Sequence, residues 1–299
     1  MRQLNLRAMA KVNLGLDVTD RREDGYHDLR MIMQTVRLFD SISLSVTRSE
    51  GVRMRTNLGF LPTDDGNLAV KAAKLLMEEF RIEEGVFIDL KKKIPVAAGL
   101  AGGSSDAAAV LVGVNRLFHL QLTQEQLRER GVKLGADIPF CIMRGTALAE
   151  GIGDILTPLA SIPPCVILIA KPDLHVSTKF VYTHLELTDR TVHPDIDGQI
   201  RCLEAGDLRG MCSLCGNVLE TVTERAYPVI SDIKKRMRDH GALAAMMSGS
   251  GPSVFGIYEK QEDAQKAASA LREEGYARMI CVTEPFYAGG RNRAAEQGV

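Results

Sequence analysis

No apolar run in this chain approaches the roughly 20 residues that a membrane-spanning helix needs. The longest relevant stretch, Cys165 to Ala170, has the length of a strand. The first residues, Met1 to Lys11, are too interrupted by polar side chains to form the core of a signal peptide, so a cytoplasmic location is the default expectation. Cysteine is scarce. The six, at positions 141, 165, 202, 212, 215 and 281, are too dispersed for a disulfide scaffold. Cys212 and Cys215 form one C-x-x-C, but a zinc site would want a second such pair or two histidines nearby. The surrounding Met-Cys-Ser-Leu-Cys-Gly reads as helix, with both cysteines as small apolar residues. Neither sign of charge is in excess: 37 Lys and Arg against 38 Asp and Glu leave a net charge of -1. That balance gives no electrostatic footprint for nucleic acid or an anionic membrane surface, and neither partner is expected. Repeats and low-complexity segments are absent.

What is present fits an ordinary soluble protein with ample core, 45% hydrophobic and 25% charged over 299 residues. The length suggests two domains. Ser161-Ile162-Pro163-Pro164 is the best linker, dividing 1–160 from 161–299. Leu14, Leu16 and Val18 alternate with period two, as do Ile42, Leu44 and Val46, and both read as strands. Arg21-Arg22-Glu23-Asp24-Gly25 between them is a charged turn. The spacing predicts a helix over 68–80 with Asn67 as N-cap, and a short strand over 86–90. Thr123 and Gln126 make a capping box, opening a helix that Gly135 is expected to end in left-handed geometry. Asp137 then lies just past a helix end. The second half reads as a strand over 165–170, a long loop and a mostly helical segment. A helix from Pro228 to Gly241 follows, then two strands around Ser248–Ser253, a helix over about 261–274 and a strand over 278–283. The fold class expected is α+β. The last dozen residues, rich in Gly, Arg and Ala, are expected to fray.

The most informative stretch is Pro95-Val96-Ala97-Ala98-Gly99-Leu100-Ala101-Gly102-Gly103-Ser104-Ser105, which runs through Asp106 into an apolar helix. Ala107, Val110, Leu111, Val114, Leu117 and Phe118 sit at helical spacing, so the loop is anchored on a buried helix. Small residues before a helix start let backbone N–H groups crowd around an anion, where the helix carries partial positive charge. Two hydroxyls stand ready for a phosphate or its metal. The anion expected is a nucleotide polyphosphate, hence ATP; the plain alternative is a flexible turn capping a helix. No Gly-Lys-Ser/Thr follows the glycines, so this is not a Walker A loop. The dinucleotide fingerprint is missing too: Gly249 and Gly251 begin one, but Val254 stands where its third glycine belongs.

Ala98–Ala108 resembles the second motif of the GHMP kinases, which phosphorylate galactose, homoserine, mevalonate and related alcohols. Ala-Lys-Val-Asn-Leu-Gly-Leu at 10–16 is similar to their first motif, and Ser-Gly-Ser-Gly-Pro-Ser-Val-Phe at 248–255 to their third. Three motifs in the family order span most of the chain. Three more segments, at 22–29, 135–140 and 149–154, are similar to the branch whose substrate is a cytidine-diphosphate-linked methylerythritol (CDP-methylerythritol). The resemblance implies a two-domain GHMP kinase fold with its active site in the cleft between the domains, the second domain being ferredoxin-like. It also implies transfer of the γ-phosphoryl of ATP, with Mg2+, onto the 2-hydroxyl of that substrate.

Such a reaction needs a phosphate cradle, a cation, and a carboxylate near the acceptor hydroxyl. Taken alone, Lys11 would be a solvated strand lysine, but its neighbours are apolar, and a buried lysine needs a partner. The resemblance places it beside Asp137, the expected base, which otherwise reads as a turn aspartate before Ile-Pro. Residues 95–105 are the expected ATP cradle, with Ser104 and Ser105 reaching phosphate or magnesium; the metal ligands themselves are undetermined. Ala98 and Ala101 stand where many relatives carry glycine, so a positive φ at Ala101 would be strained. Gly249 and Gly251 either buttress the phosphate site or simply turn a hairpin.

The resemblance further implies that Tyr26 stacks on cytosine, that His27 bonds its edge, and that Asn13 meets the methylerythritol end. Stacking on an aromatic face suits any base. Tyr182 is the second stacking residue expected, with Phe180 the near alternative. Asn67 and Lys92 are placed near the adenosine. Lys91-Lys92-Lys93 otherwise reads as local phosphate attraction or solvated surface. The remaining histidines have no metal-ligand spacing. A monomer or weak homodimer is expected. Two competing readings are another GHMP kinase, of homoserine or mevalonate type, and a non-catalytic ligand sensor. The segments at 25–27 and 135–140 argue against the first, and the presence of both Lys11 and Asp137 against the second.

Overall fold

A computed structural model describes residues 2–23, 25–188 and 191–288. Asp24 of the charged turn, and the terminal segment expected to fray from 289 onward, lie outside the described residues. The first half runs β1 (Gln3–Arg21), β2 (His27–Thr47), β3 (Val52–Thr56), α1 (Leu68–Glu79), β4 (Gly85–Lys91), α2 (Gly102–Leu117), α3 (Gln124–Gly131), α4 (Ile138–Met143), β5 (Thr146–Gly151) and β6 (Ile155–Pro158). The second half runs β7 (Val166–Lys171), α5 (Thr178–Thr183), α6 (Ile196–Ala205), α7 (Leu208–Ser213), β8 (Gly216–Asn217), α8 (Glu220–Ala226), α9 (Val229–Asp239), β9 (Ala244–Met247), β10 (Val254–Tyr258), α10 (Gln261–Glu273) and β11 (Met279–Thr283).

β1 and β2 form one long antiparallel hairpin, the spine of a sheet ordered β3-β4-β2-β1-β8. β2 divides its outer edge between two partners: Ser41–Thr47 pair with β4, and Leu29–Gln34 pair with β5. The second sheet, ordered β11-β7-β10-β9, is antiparallel throughout. With α9 and α10 against it, the segment from β7 to β11 has the β-α-β-β-α-β order of a ferredoxin-like unit.

One core lies between the first sheet and α1 and α2, built from Ala8, Leu44, Leu76, Ile88, Leu90, Val110, Leu111 and Val114. Helix α2 comes so close to the hairpin that a Cβ on Gly113 would lie 2.3 Å from Leu44 Cδ1. Two further cores join the halves. Leu16, Val18, Met31 and Met33 pack with Leu168, Val254, Ile230 and Leu271, whereas Val12, Leu14, Ile32 and Val36 pack with Ile167, Ile169, Phe255 and Ile257. Hydrophobic contact therefore runs continuously from β1 and β2 into the second sheet, which holds the first and third motifs against one another.

Local signals behave as expected at two helix starts. Asn67 Oδ1 accepts from the Ala69 N–H, and Thr123 and Gln126 form the reciprocal capping box. The expected end at Gly135 is wrong. α3 stops at Gly131, and Gly135 has no left-handed backbone. The chain turns early because Ile138 packs onto Gly131, where a Cβ would meet Ile138 Cγ2 at 2.7 Å. Of the C-x-x-C pair, Cys212 ends up on α7 and Cys215 just beyond its end, both against the apolar core.

Candidate active site

Two register shifts in β1, between Met9 and Lys11 and between Asn13 and Gly15, bracket the pair Lys11 and Asn13. Bulges re-aim side chains. Both residues are buried, at 5% and 0% exposure, although they are polar. Lys11 Nζ donates to Asn13 Oδ1 at 2.9 Å and stands 3.9 Å from Asp137 Oδ2. Asp137 is the N-cap residue of α4, yet its carboxylate makes no capping hydrogen bond. It is turned toward the ammonium, with its side chain 34% exposed. The site thus holds a buried cation beside a carboxylate that solvent, or an alcohol, can reach.

The glycine-rich loop is fastened to the same strand. The Lys11 N–H donates to the Leu100 carbonyl at 3.2 Å, and Ser105 Oγ donates to the Met9 carbonyl at 2.7 Å. Positive φ angles alternate along the loop, at Ala97 (51°), Gly99 (75°) and Ala101 (54°). Alternation of this kind turns successive N–H groups inward, as in an anion nest. α2 then starts at Gly102 without a side-chain cap, so its first amides have no side-chain partner. Gly103 is exposed, and the nearest atom to a Cβ there would be 3.8 Å away. Backbone donors, helix dipole and open space coincide at this point. Ser104 is half-buried on the first turn of α2. Ser105 faces the other way: its hydroxyl is spent on Met9, and its N–H donates to the Ala101 carbonyl at 2.8 Å. Ala101 does adopt the left-handed geometry that its side chain resists.

The third motif forms the turn between β9 and β10 and also braces the cradle. Ser248 Oγ donates to the Gly99 carbonyl at 2.9 Å, and the Ser253 N–H donates to the Ala98 carbonyl at 3.3 Å. A Cβ on Gly99 would fall 2.0 Å from the Ser248 carbonyl oxygen, so the two glycine loops touch through bare backbone.

Lys92 departs from expectation. Neither solvated nor turned to a nucleotide, it is 8% exposed and bridges Asp40 and Asp106, whose carboxylates are also buried. Its ammonium lies under Gly102, 3.1 Å from where a Cβ would be. Asp40 also accepts from the Lys93 and Ile94 N–H groups, but Asp106 Oδ1 has no partner. Burial pushes the Asp106 carboxyl above its ordinary range, Lys92 opposing and Asp40 adding to the shift. Asn67 is likewise used internally, capping α1 and donating to the Pro62 carbonyl. Sequence spacing gave no signal for this cluster, because Asp40 is 52 positions from Lys92.

The far end of the cleft carries the aromatics. Tyr26 is 62% exposed beside His27, the first residue of β2. The His27 ring meets the Tyr182 ring at 5.2 Å between centroids, tilted by 35°. Phe180 instead lies against His184. Burial, reinforced by the Asp137 charge, raises the Tyr182 phenol well above its ordinary value. Burial, then the Arg21 charge, lowers the His27 imidazole. α5, which carries Tyr182, is tied to the third motif through a 2.9 Å hydrogen bond between Thr178 and Ser250 hydroxyls.

Lys11, Asn13, Asp137 and the 95–105 loop are thus brought together, while His27 meets Tyr182 on α5, the helix tied to the third motif. A cavity of about 930 Å³ lies elsewhere. It follows β1 at Asn5–Met9 between α2 and α4, and neither Lys11, Asp137 nor the glycine loop lines it. Among the described residues no group of three or more His, Cys, Asp or Glu could hold a metal ion. No helix among them is long and apolar enough to cross a membrane.

Residues 67–145 match the family described as GHMP kinases N terminal domain, and residues 194–277 match GHMP kinases C terminal. The chain is 53% identical to the 4-diphosphocytidyl-2-C-methyl-D-erythritol kinase of Lachnospira eligens, over 96% of this chain and 99% of that one. A crystal structure of 4-(cytidine 5'-diphospho)-2C-methyl-D-erythritol kinase superposes with a TM-score of 0.82 at 35% identity, covering 95% of this chain and all of the other. The homoserine kinase of Cytophaga hutchinsonii superposes with a TM-score of 0.77 at 24% identity, over 94% and 93% of the two chains, which shows a common fold.

Proposed function

The chain belongs to the GHMP kinases, in the 4-diphosphocytidyl-2-C-methyl-D-erythritol kinase family, and from that premise we propose how its cleft performs the reaction. The protein is an ATP-dependent kinase of the non-mevalonate isoprenoid route. It phosphorylates the 2-hydroxyl of 4-(cytidine 5'-diphospho)-2-C-methyl-D-erythritol. Residues 95–105 cradle the α- and β-phosphates on loop amides and the first turn of α2. The γ-phosphoryl then faces the acceptor hydroxyl between Lys11 and Asp137. Lys11 orients that hydroxyl and stabilises the developing alkoxide, while Asp137 accepts its proton. An aspartate is a weak base for an alcohol, so most of its effect comes from positioning. Asn13 holds Lys11 and contacts the methylerythritol. Tyr26 and Tyr182 take the cytosine between them, and His27, whose pKa burial lowers, bonds the base edge.

One observation carries this reading: Asp137, at the start of α4, stands 3.9 Å from Lys11, whose own backbone N–H is bonded to the phosphate loop. Mg2+ fits the donor set. The Ser104 hydroxyl on the first turn of α2 offers the kind of hard oxygen it prefers and would hold it together with the nucleotide. Such an ion would supply charge neutralisation for the transferring phosphoryl group. A monomer or weak homodimer belongs to the same reading, and soluble substrates fit a cytoplasmic enzyme. The test is ADP release from ATP with CDP-methylerythritol, homoserine and mevalonate in parallel. Turnover is expected with the first alone. Preference for either of the others, or binding without turnover, overturns the assignment.

A further inference from the structure

Asn217 is only 6% exposed and uses both ends of its amide. Nδ2 donates to the Met247 carbonyl at 2.9 Å and to the Gly249 carbonyl at 2.8 Å. Oδ1 accepts from the Leu219 N–H at 3.0 Å. Its backbone meanwhile belongs to β8, paired in parallel with β1 at Gly15–Gly216 and Leu16–Asn217. β1 is the strand that carries Lys11 and Asn13. A local asparagine turn would need only the bond from Leu219. The two donated bonds do something else: they reach 30 and 32 positions along the chain and grip the third motif on either side of Ser248.

That grip has a direct consequence in the cleft. A Cβ on Gly249 would lie 3.4 Å from the Gly99 carbonyl oxygen and 3.7 Å from Asn13 Oδ1, so this turn sits between the phosphate loop and the acceptor strand. Glu220 fixes the same turn from behind, accepting from the Met247 N–H at 2.6 Å while Lys234 holds the carboxylate. We propose that Asn217 is a positioning residue for phosphoryl transfer, joining the acceptor strand to the third motif so that the glycine loop keeps its place relative to Lys11 and Asp137. The residue type follows from the geometry. The position needs two donors and one acceptor on a short side chain. Aspartate has no donor, serine has one, and glutamine is a methylene too long.

The inference rests on the phosphate-cradle reading of residues 95–105, and its test separates the two. Asn217→Ala is compared with Asn115→Ala, whose side chain makes two hydrogen bonds, both to Leu122 beyond the C-terminal end of α2. Thermal stability, kcat and KM for ATP are measured for each. Two lost hydrogen bonds of ordinary net strength correspond to about tenfold or more. Asn217→Ala is expected to lose at least about tenfold in kcat/KM for ATP. Asn115→Ala should stay within about twofold at a comparable fall in Tm. Asn217→Ser, which keeps one donor, should lie between them, and it decides the matter if Asn217→Ala does not fold. Kinetic constants for ATP within about twofold of wild type in the folded Asn217 variant overturn the proposal. If the wild-type protein itself shows no turnover, the cradle reading fails. ADP-induced thermal stabilisation, compared between wild type and Asn217→Ala, then still tests Asn217.

Discussion

Lys92→Met keeps most of the side-chain volume and removes one buried ammonium. Asp40 would keep two backbone donors, from Lys93 and Ile94. Asp106 would lose its bond from Lys92 at Oδ2, and its Oδ1 has no hydrogen-bond partner already. Removing one member of a buried ionic cluster costs about 3–5 kcal/mol. Unfolding entropy near 2.1 cal/mol/K per residue over 299 residues gives about 0.6 kcal/mol/K, so Tm should fall by about 5–8 °C. The neighbouring Lys91 is exposed, and Lys91→Met should stay within about 0.5 kcal/mol. Adding Asp106→Asn to Lys92→Met should restore part of the loss, because the uncompensated charge is gone. pH supplies a sign test. The Asp106 carboxyl holds its proton in the folded state above 3.8, where the unfolded chain releases it. Its contribution is complete below that value and is lost as pH rises through the higher folded pKa. The Lys92→Met deficit should therefore be smaller at pH 5 than at pH 8. Differential scanning calorimetry of the four proteins at both pH values measures all of this. A Lys92→Met protein as stable as Lys91→Met would refute the reasoning.

The remaining predictions concern the cleft. Ala101→Gly should raise Tm by about 1–2 °C, since left-handed geometry costs alanine about 1–2 kcal/mol and the flexibility of glycine in the unfolded chain returns part of that. A lower Tm would mean that the Ala101 methyl is needed for packing. Gly99→Ala should abolish detectable nucleotide binding by calorimetry, because its methyl would strike the Ser248 carbonyl; unchanged ADP affinity contradicts the docked loops. His27, with its pKa lowered below 6.5, favours the folded state above that pH and loses this contribution as pH falls through the depressed value. KM for CDP-methylerythritol should accordingly rise on acidification below pH 6.5, and the rise should vanish in His27→Gln.

The three lysines at 91–93 show why some of this was legible in the sequence and some was not. As a string they are equivalent; in the fold the middle one alone turns inward, toward carboxylates supplied by β2 and α2. Caps behave differently. Asn67 and the Thr123–Gln126 box were readable because their partners lie within three positions. The glycine loop was readable for the same reason, since its conformation is set by its own small residues. Period two revealed pieces of β1 and β2 but not their length, because Ala8 to Val18 is buried throughout and the alternation disappears. Gly135 misled because glycine marks a helix end only if nothing stops the helix earlier, and Ile138 packing on Gly131 does. Asn217 carried no signal, because both acceptors of its amide N–H groups come from a turn 30 or more positions away.

The central claim is that an alcohol is activated between Lys11 and Asp137 in front of the cradled triphosphate. Single-turnover transfer from labelled ATP to CDP-methylerythritol by Asp137→Asn tests it most directly, with ATP affinity measured on the same protein. A fall of about 10²- to 10⁴-fold in the transfer rate is predicted, with ATP affinity kept within about twofold. A transfer rate within a few-fold of wild type would contradict it.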